Sequence, residues 1–163
     1  MKIYIVKETT IDEKRVSLVP DVAKKFIKDG FDVFLEKDAG YMSKFTDEDY
    51  SSLGVNIDDN HENISDADII FCVRMPDDNL INKIKSGACL IGLLNPYDNK
   101  EKLELLSKKG INAFSMELIP RSPRAQSMDV LSSQSNLAGY KAVINSASLY
   151  NNCLLYTSDA ADE

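Results

Sequence analysis

Residues 67–96 read ADIIFCVRMPDDNLINKIKSGACLIGLLNP, and the alternation inside this stretch decides the fold. Its ends carry two short apolar runs, Ile69-Ile70-Phe71-Cys72-Val73 and Cys89-Leu90-Ile91-Gly92-Leu93-Leu94. Both are continuous instead of alternating, which is how strands buried on both faces read. Between them, Asp77 to Lys85 predicts a helix. Asp77 and Asp78 follow Pro76 and suit the positive end of the helix dipole. Lys85, followed by Ser86-Gly87, suits the negative end and a left-handed stop.

The same grammar extends outward. Ile3-Tyr4-Ile5-Val6 and Val33-Phe34-Leu35 repeat the strand pattern, and Ile111 to Met116 makes a weaker strand. Pro20 suits a first helical turn, Val22, Ala23, Phe26 and Ile27 recur at helical spacing, and Gly30 ends that segment. Thr46 is placed to cap a helix through Tyr50 toward Gly54, and Asn99 to Lys109 predicts another. Strand and helix in alternation imply an α/β domain with a mainly parallel, doubly wound sheet of the Rossmann-like or flavodoxin-like kind. No Gly-x-Gly-x-x-Gly occurs, so the usual dinucleotide-cradling turn is missing from this stretch. A last helix is expected to start among Ser132 to Asn136, to run through Leu137, Tyr140, Val143, Ile144 and Leu149, and to end at Asn151-Asn152.

Composition narrows the function classes. A formal net charge of -7 over 163 residues opposes a nucleic-acid surface or an anionic membrane, both of which need a clustered basic face. No apolar run nears the ~20 residues of a bilayer span, and the amino terminus runs straight into a strand pattern. The expectation is a soluble segment with no membrane insertion of its own. Cys72, Cys89 and Cys153 lack metal-ligand spacing and read as reduced cysteines of a cytosolic protein, the first two in the core. No metal site is expected.

One stretch departs from this pattern. PRSPRAQSMDVLSSQSNLAGY, from Pro120 to Tyr140, crowds two arginines, glutamine, aspartate and serines into little apolar context. Pro120 and Pro123 stiffen a loop that follows the last strand, near the sheet edge where open α/β folds bind ligands. Arg121 and Arg124 offer planar donor forks, Gln126 both donates and accepts, Asp129 accepts, and Ser132 and Ser133 add hydroxyls. The mixture suits an amide, a carboxylate or a ribose better than a metal, since only one carboxylate is present. The plainer alternative pairs Asp129 with Arg121 or Arg124 and leaves the serines to cap the next helix.

Met116-Glu117-Leu118-Ile119-Pro120-Arg121 and the run Arg124-Ala125-Gln126-Ser127-Met128-Asp129 through Val143 resemble the nicotinamide-facing segment of the α subunit of proton-translocating NAD(P) transhydrogenase. The resemblance extends from Met1 to about Tyr150, through Lys7-Glu8, Arg15-Val16, Pro20, the Gly40 region and the Ala67 to Pro76 strand. It implies an NAD(H)-binding component of two α/β domains that passes hydride to NADP(H) held on a partner component, coupled to proton movement through a membrane component. Arg121, Asp129 and Ser132 would orient the nicotinamide carboxamide, and Gln126 would align donor and acceptor rings, so that Gln126 and Asp129 serve catalysis while all four bind cofactor. Pro123 stands where the family has a non-proline residue. Also implied are a cytoplasmic component held peripherally at the inner membrane by partner subunits, and a homodimer of the intact α component. The domain plan that follows is an amino-terminal domain over 1–132, a helix over 133–152 leading toward a missing NAD-binding domain, and 153–163, which resembles translated sequencing-adapter read-through. The chain by itself would then be inactive.

Two rival readings remain. Alanine dehydrogenase shares the Arg15 region and the domain plan; Arg15 could bind a substrate carboxylate, and Arg74 stands at a basic substrate-binding position of that family. Its acid/base histidine, however, is replaced here by the sequence Leu94-Asn95-Pro96, and His61, the one histidine, lies in an acidic run that reads as a solvated loop. A non-catalytic interaction domain would use Arg121 and Arg124 to grip a partner's carboxylates.

Overall fold

Strands β1 (Lys2–Ile5), β2 (Asp32–Glu36), β3 (Asn56–Asp58), β4 (Ile69–Arg74), β5 (Cys89–Leu93) and β6 (Asn112–Ser115) form one sheet in the order β3-β2-β1-β4-β5-β6. Every pairing is parallel. The expectation of a mainly parallel sheet thus becomes a wholly parallel one. This computed structural model describes residues 1–151 and divides into two compact units, Met1–Leu118 and a second that begins at Ile119. Cys153 and the segment 153–163 lie outside the described residues.

Helices fill the crossovers of the first unit. α1 (Pro20–Lys28) joins β1 to β2, and α2 (Asp47–Ser51) joins β2 to β3. α3 (Asp78–Lys83) and α4 (Lys100–Lys108) make the two crossovers after β4. Local chemistry sets their ends. Pro20 opens α1, and the chain leaves it through Gly30 at φ 86, a left-handed value that costs glycine little. Thr46 and Asp49 form a reciprocal capping box on α2, and Asp77 accepts the Leu80 amide at the head of α3. α3 stops at Lys83 instead of Lys85 because Ile84 turns extended and is buried.

Two cores lie on the two faces of the sheet. Ile3, Ile5, Val33 and Leu35 pack against Leu18, Ala23 and Tyr50 on the α1 and α2 side. Tyr4, Ile70, Cys72 and Leu90 pack against Ile81 of α3 and Leu106 of α4 on the other. Each fully buried Ile or Leu contributes roughly 1.5–3 kcal/mol of transfer free energy. β3 escaped the sequence reading. It holds three residues with a single apolar one, Ile57, and gains its place only by pairing with β2 at the sheet edge.

The second unit contains α5 (Val130–Leu149). It begins ahead of the expected Ser132 to Asn136 because Asp129 itself supplies the cap, its carboxylate taking the Ser132 amide. No residue of α5 is buried.

Candidate functional site

In the second unit the polar segment is a chain of tight turns. The Ser122 amide donates to Pro120 O at 2.9 Å, the Ala125 amide to Ser122 O at 3.0 Å, and the Met128 amide to Ala125 O at 2.9 Å. A 3-10 turn spans Gln126–Met128 and hands the chain to Asp129, whose extended ψ of 90° starts α5.

Asp129 is the centre of the segment. Its carboxylate accepts the Ser132 amide at 3.0 Å and the Ser132 hydroxyl, while its carbonyl accepts the Ser133 hydroxyl at 3.1 Å. The Ser132 hydroxyl, then the Ser132 amide, and further off the Arg121 charge hold the Asp129 carboxyl below the usual range. Thus Asp129 and Ser132 are in direct contact, and Arg121 acts on Asp129 through its field. Arg124 and Gln126 are exposed, with no side-chain hydrogen bond or ion pair among the described residues. In place of the serine caps of the plainer alternative, the structure has an Asp129 cap to which Ser132 and Ser133 donate. It leaves the Gln126 amide and two guanidinium forks exposed beside an ionised carboxylate, a set able to donate to and accept from a flat amide.

A second polar cluster, in the first unit, sits where the strand order reverses between β1 and β4. Open α/β sheets bind ligands at this switch point. Glu8, just past β1, accepts the amides of Val73 at 2.6 Å and Arg74 at 3.0 Å, where the β4 register slips between Phe71 and Arg74. Burial pushes the Glu8 carboxyl up. Glu13 takes Arg15 Nε at 2.7 Å and Nη2 at 2.6 Å, and Arg74 Nε at 3.0 Å, with only 6% of its side chain exposed. Hydrogen bonds from Arg15 lead in lowering the Glu13 carboxyl to about 2. Crevices of about 210 and 410 Å³ flank Arg74.

The sequence pointed to Arg15 and Arg74 but not to the two glutamates that organise them. An acid two residues from an arginine in a loop, Glu13-x-Arg15, was the available signal. Glu117 was also missed. Burial raises its carboxyl, but bonds with its own backbone amide, Ser115, Asn95 and Leu94 outweigh that and hold it low. It thereby ties the carboxyl ends of β5 and β6 together, with the Ser115 hydroxyl at 2.7 Å and the Leu94 amide at 3.2 Å. His61, read as solvated, is half-buried at φ 55, with Nδ1 3.7 Å from Glu36 Oε1. Burial in a charged loop-to-strand contact is invisible to composition.

Residues 4–138 match the family described as alanine dehydrogenase/PNT, N-terminal domain. The chain belongs to that family. Over 157 residues it is 43% identical to the first part of NAD(P) transhydrogenase subunit alpha of Rickettsia prowazekii, covering 92% of this chain and 40% of the relative. It is 30% identical to alanine dehydrogenase 1 of Staphylococcus aureus, over 90% of this chain and 38% of that protein. The solved structure of transhydrogenase from Sinorhizobium meliloti superposes with a TM-score of 0.89 at 41% identity, over 94% of this chain and 46% of the other. The chain therefore spans less than half the length of these relatives, and the doubly wound parallel fold is that of the family. Among the described residues no helix is long and apolar enough to cross a membrane.

Proposed function

We propose that this chain is the first-domain wall of the NAD(H)-binding component of a proton-translocating transhydrogenase, with NADP(H) held on a partner component. The observation that carries the reading is the Asp129 head of α5: an ionised carboxylate fixed by Ser132, under the field of Arg121, one turn after an unengaged Gln126. A domain plan of 1–132, a connecting segment over 133–152 and a following glycine-rich NAD domain belongs to the same reading, as do a homodimer of the intact component and peripheral attachment to the inner membrane through partner subunits.

The residues fit a nicotinamide carboxamide. Asp129 accepts from its NH2, Arg121 and the Ser132 hydroxyl supply donors for its oxygen, and Gln126 does either. When bound, NAD(H) supplies the hydride chemistry itself. What the chain contributes is orientation: Pro120 and Pro123 remove backbone freedom, and the Asp129 cap fixes the acceptor relative to the helix axis. In this reading Gln126, exposed on its turn, aligns the second ring with the first. Such alignment lowers the barrier by pre-ordering the reactants, with no nucleophile needed.

The alanine dehydrogenase reading draws on Arg15 and Arg74 at the switch point, but Glu13 already engages both guanidinia. Higher identity to transhydrogenase, 43% against 30%, ranks the first reading ahead. The deciding experiment uses the longer polypeptide. NADH should raise its melting temperature, and Gln126→Ala should slow single-turnover hydride transfer while leaving that melting temperature unchanged. Pyruvate-dependent NADH oxidation, or hydride transfer indifferent to Gln126→Ala, would overturn the proposal.

A further inference from the structure

At the switch point a side chain takes over from the backbone ladder. The Val6 amide, one residue past β1, donates to Phe71 O at 3.2 Å. Beyond it the register of β4 against β5 slips between Phe71 and Arg74. A bulge of this kind leaves ladder groups unpaired. Glu8 takes two of them: Val73 N donates to Oε1 at 2.6 Å and Arg74 N to Oε2 at 3.0 Å.

This double bond needs both carboxylate oxygens as acceptors. A protonated carboxyl commits one oxygen to its own O–H and keeps a single good acceptor. The two amides differ in what they lose. Val73 is buried and holds the shorter bond, so its amide has no other partner to turn to. Arg74 is exposed, and its amide can pass to water at little cost. Arg74 and Met75 line both crevices at this edge, of about 210 and 410 Å³, so the released segment is their common wall.

We propose that Glu8 is a proton-operated latch on the carboxyl end of β4: ionised, it pins Val73 and Arg74 together, and protonated, it keeps Val73 and lets the Arg74 backbone go. Burial outweighs the two amide bonds and raises the Glu8 carboxyl above its ordinary value near 4.5, which moves the latch toward neutral pH. Glu13 and Arg15, on the loop that follows β1, act on it with opposite signs. Glu13 is itself held low, at about 2, and stays ionised while Glu8 takes its proton. The Arg74 guanidinium therefore remains on Glu13 as the backbone behind it loosens. Across the narrower crevice Glu8 meets Lys7, Arg74 and Lys83 against Glu36 and Asp77, a near balance of charge, together with His61.

Amide exchange of the 163-residue chain, corrected for intrinsic rates, tests the latch. Protection at Arg74 should fall by about tenfold or more as pH drops through the Glu8 titration, read from its carboxyl carbon shift, with a midpoint above pH 4.5. Val73 should change less, and the core amides of β4 and β5 should hold, which separates the latch from acid unfolding. Glu8→Gln, with one acceptor oxygen, should leave Arg74 weakly protected at every pH. Histidine as a type titrates in the same region, so the measurement is repeated in His61→Gln, where the loosening should persist. Protection at Arg74 that ignores the Glu8 titration would overturn the proposal. So would a Glu8→Gln chain as well protected at pH 8 as the parent, or a loosening that disappears with His61.

Discussion

The hydroxyl of Ser132 donates to the carboxylate of Asp129, so two side chains expected on a cofactor amide are bonded to each other at the head of α5. The contact serves the helix first, since the same carboxylate takes the Ser132 amide. A capping carboxylate is held at a fixed angle and retains lone pairs, which makes it a rigid acceptor. Capping and cofactor orientation are therefore separable by substitution. Asp129→Asn keeps a capping oxygen, and far-UV circular dichroism should be unchanged, while NADH affinity of the longer polypeptide drops with the lost charge. Asp129→Ala should lose both, with faster amide exchange at Leu131 to Ser133. Equal helix content in the two variants would show that the cap is idle.

Glu13 adds to the acid sensitivity of the first unit. Its carboxyl is lowered to about 2 in the folded chain, mainly by Arg15, against an ordinary value near 4.5. A depressed carboxyl stabilises the fold above its unfolded value and loses that contribution as pH falls through the folded one. Stability should therefore decline between about pH 4.5 and 2. The contribution is about 2 kcal/mol once screening at the half-exposed arginines is allowed for. Glu8 has the opposite sign. Burial raises its carboxyl, so the folded state holds that proton longer, and stability gains as pH falls toward 4.5. Urea titrations across pH should show Glu13→Gln flattening the acid decline and Glu8→Gln removing the gain above it.

Much of this arrangement is legible in the residues, and the exceptions share a cause. Continuous apolar runs such as Ile69 to Val73 announce doubly buried strands, because a parallel sheet leaves no polar face to alternate with. Thr46 and Asp77 announce helix starts, because capping is a local event. Glu8, Glu13 and Glu117 did not announce themselves: each bonds to a residue placed beside it only by the fold, 65, 61 and 22 positions away for Val73, Arg74 and Asn95. β3 fails for a related reason, its three residues being recruited by β2 instead of their own pattern. The polar segment lay between these cases. Its residues were conspicuous, but Asp129 starting α5 depended on a bond with Ser132 that competing caps at Ser132 to Asn136 concealed.

The capping box at Thr46 gives a purely local test. Its hydroxyl accepts the Asp49 amide at 3.3 Å, and the Asp49 carboxylate returns to the Thr46 amide at 2.7 Å. α2 is only five residues long and carries the buried Tyr50, whose hydroxyl donates to Leu18 O at 2.8 Å. Nucleation of so short a helix depends on its cap. Thr46→Ala should cost about 1 kcal/mol by chemical denaturation, whereas Thr46→Ser, which keeps the hydroxyl, should cost a few tenths.

Gly92 is held by contact, not by backbone angle. A Cβ built there would stand 2.5 Å from both the carbonyl oxygen and the sulfur of Cys72, on the neighbouring strand. Such distances force the strands apart or the side chain off its rotamer, at a cost of about 1–3 kcal/mol for Gly92→Ala. The neighbour explains why Cys72 suits its position: a small, soft side chain fills the space over Gly92, and its thiol reaches Ile91 O at 3.6 Å. Pairing Gly92→Ala with Cys72→Ala removes the sulfur but not the carbonyl, so the double variant should recover part of the loss and no more. Full recovery would place the whole clash on the side chain; none would place it on the backbone. Either result read from a double-mutant cycle measures how rigidly β4 and β5 are held at their carboxyl ends.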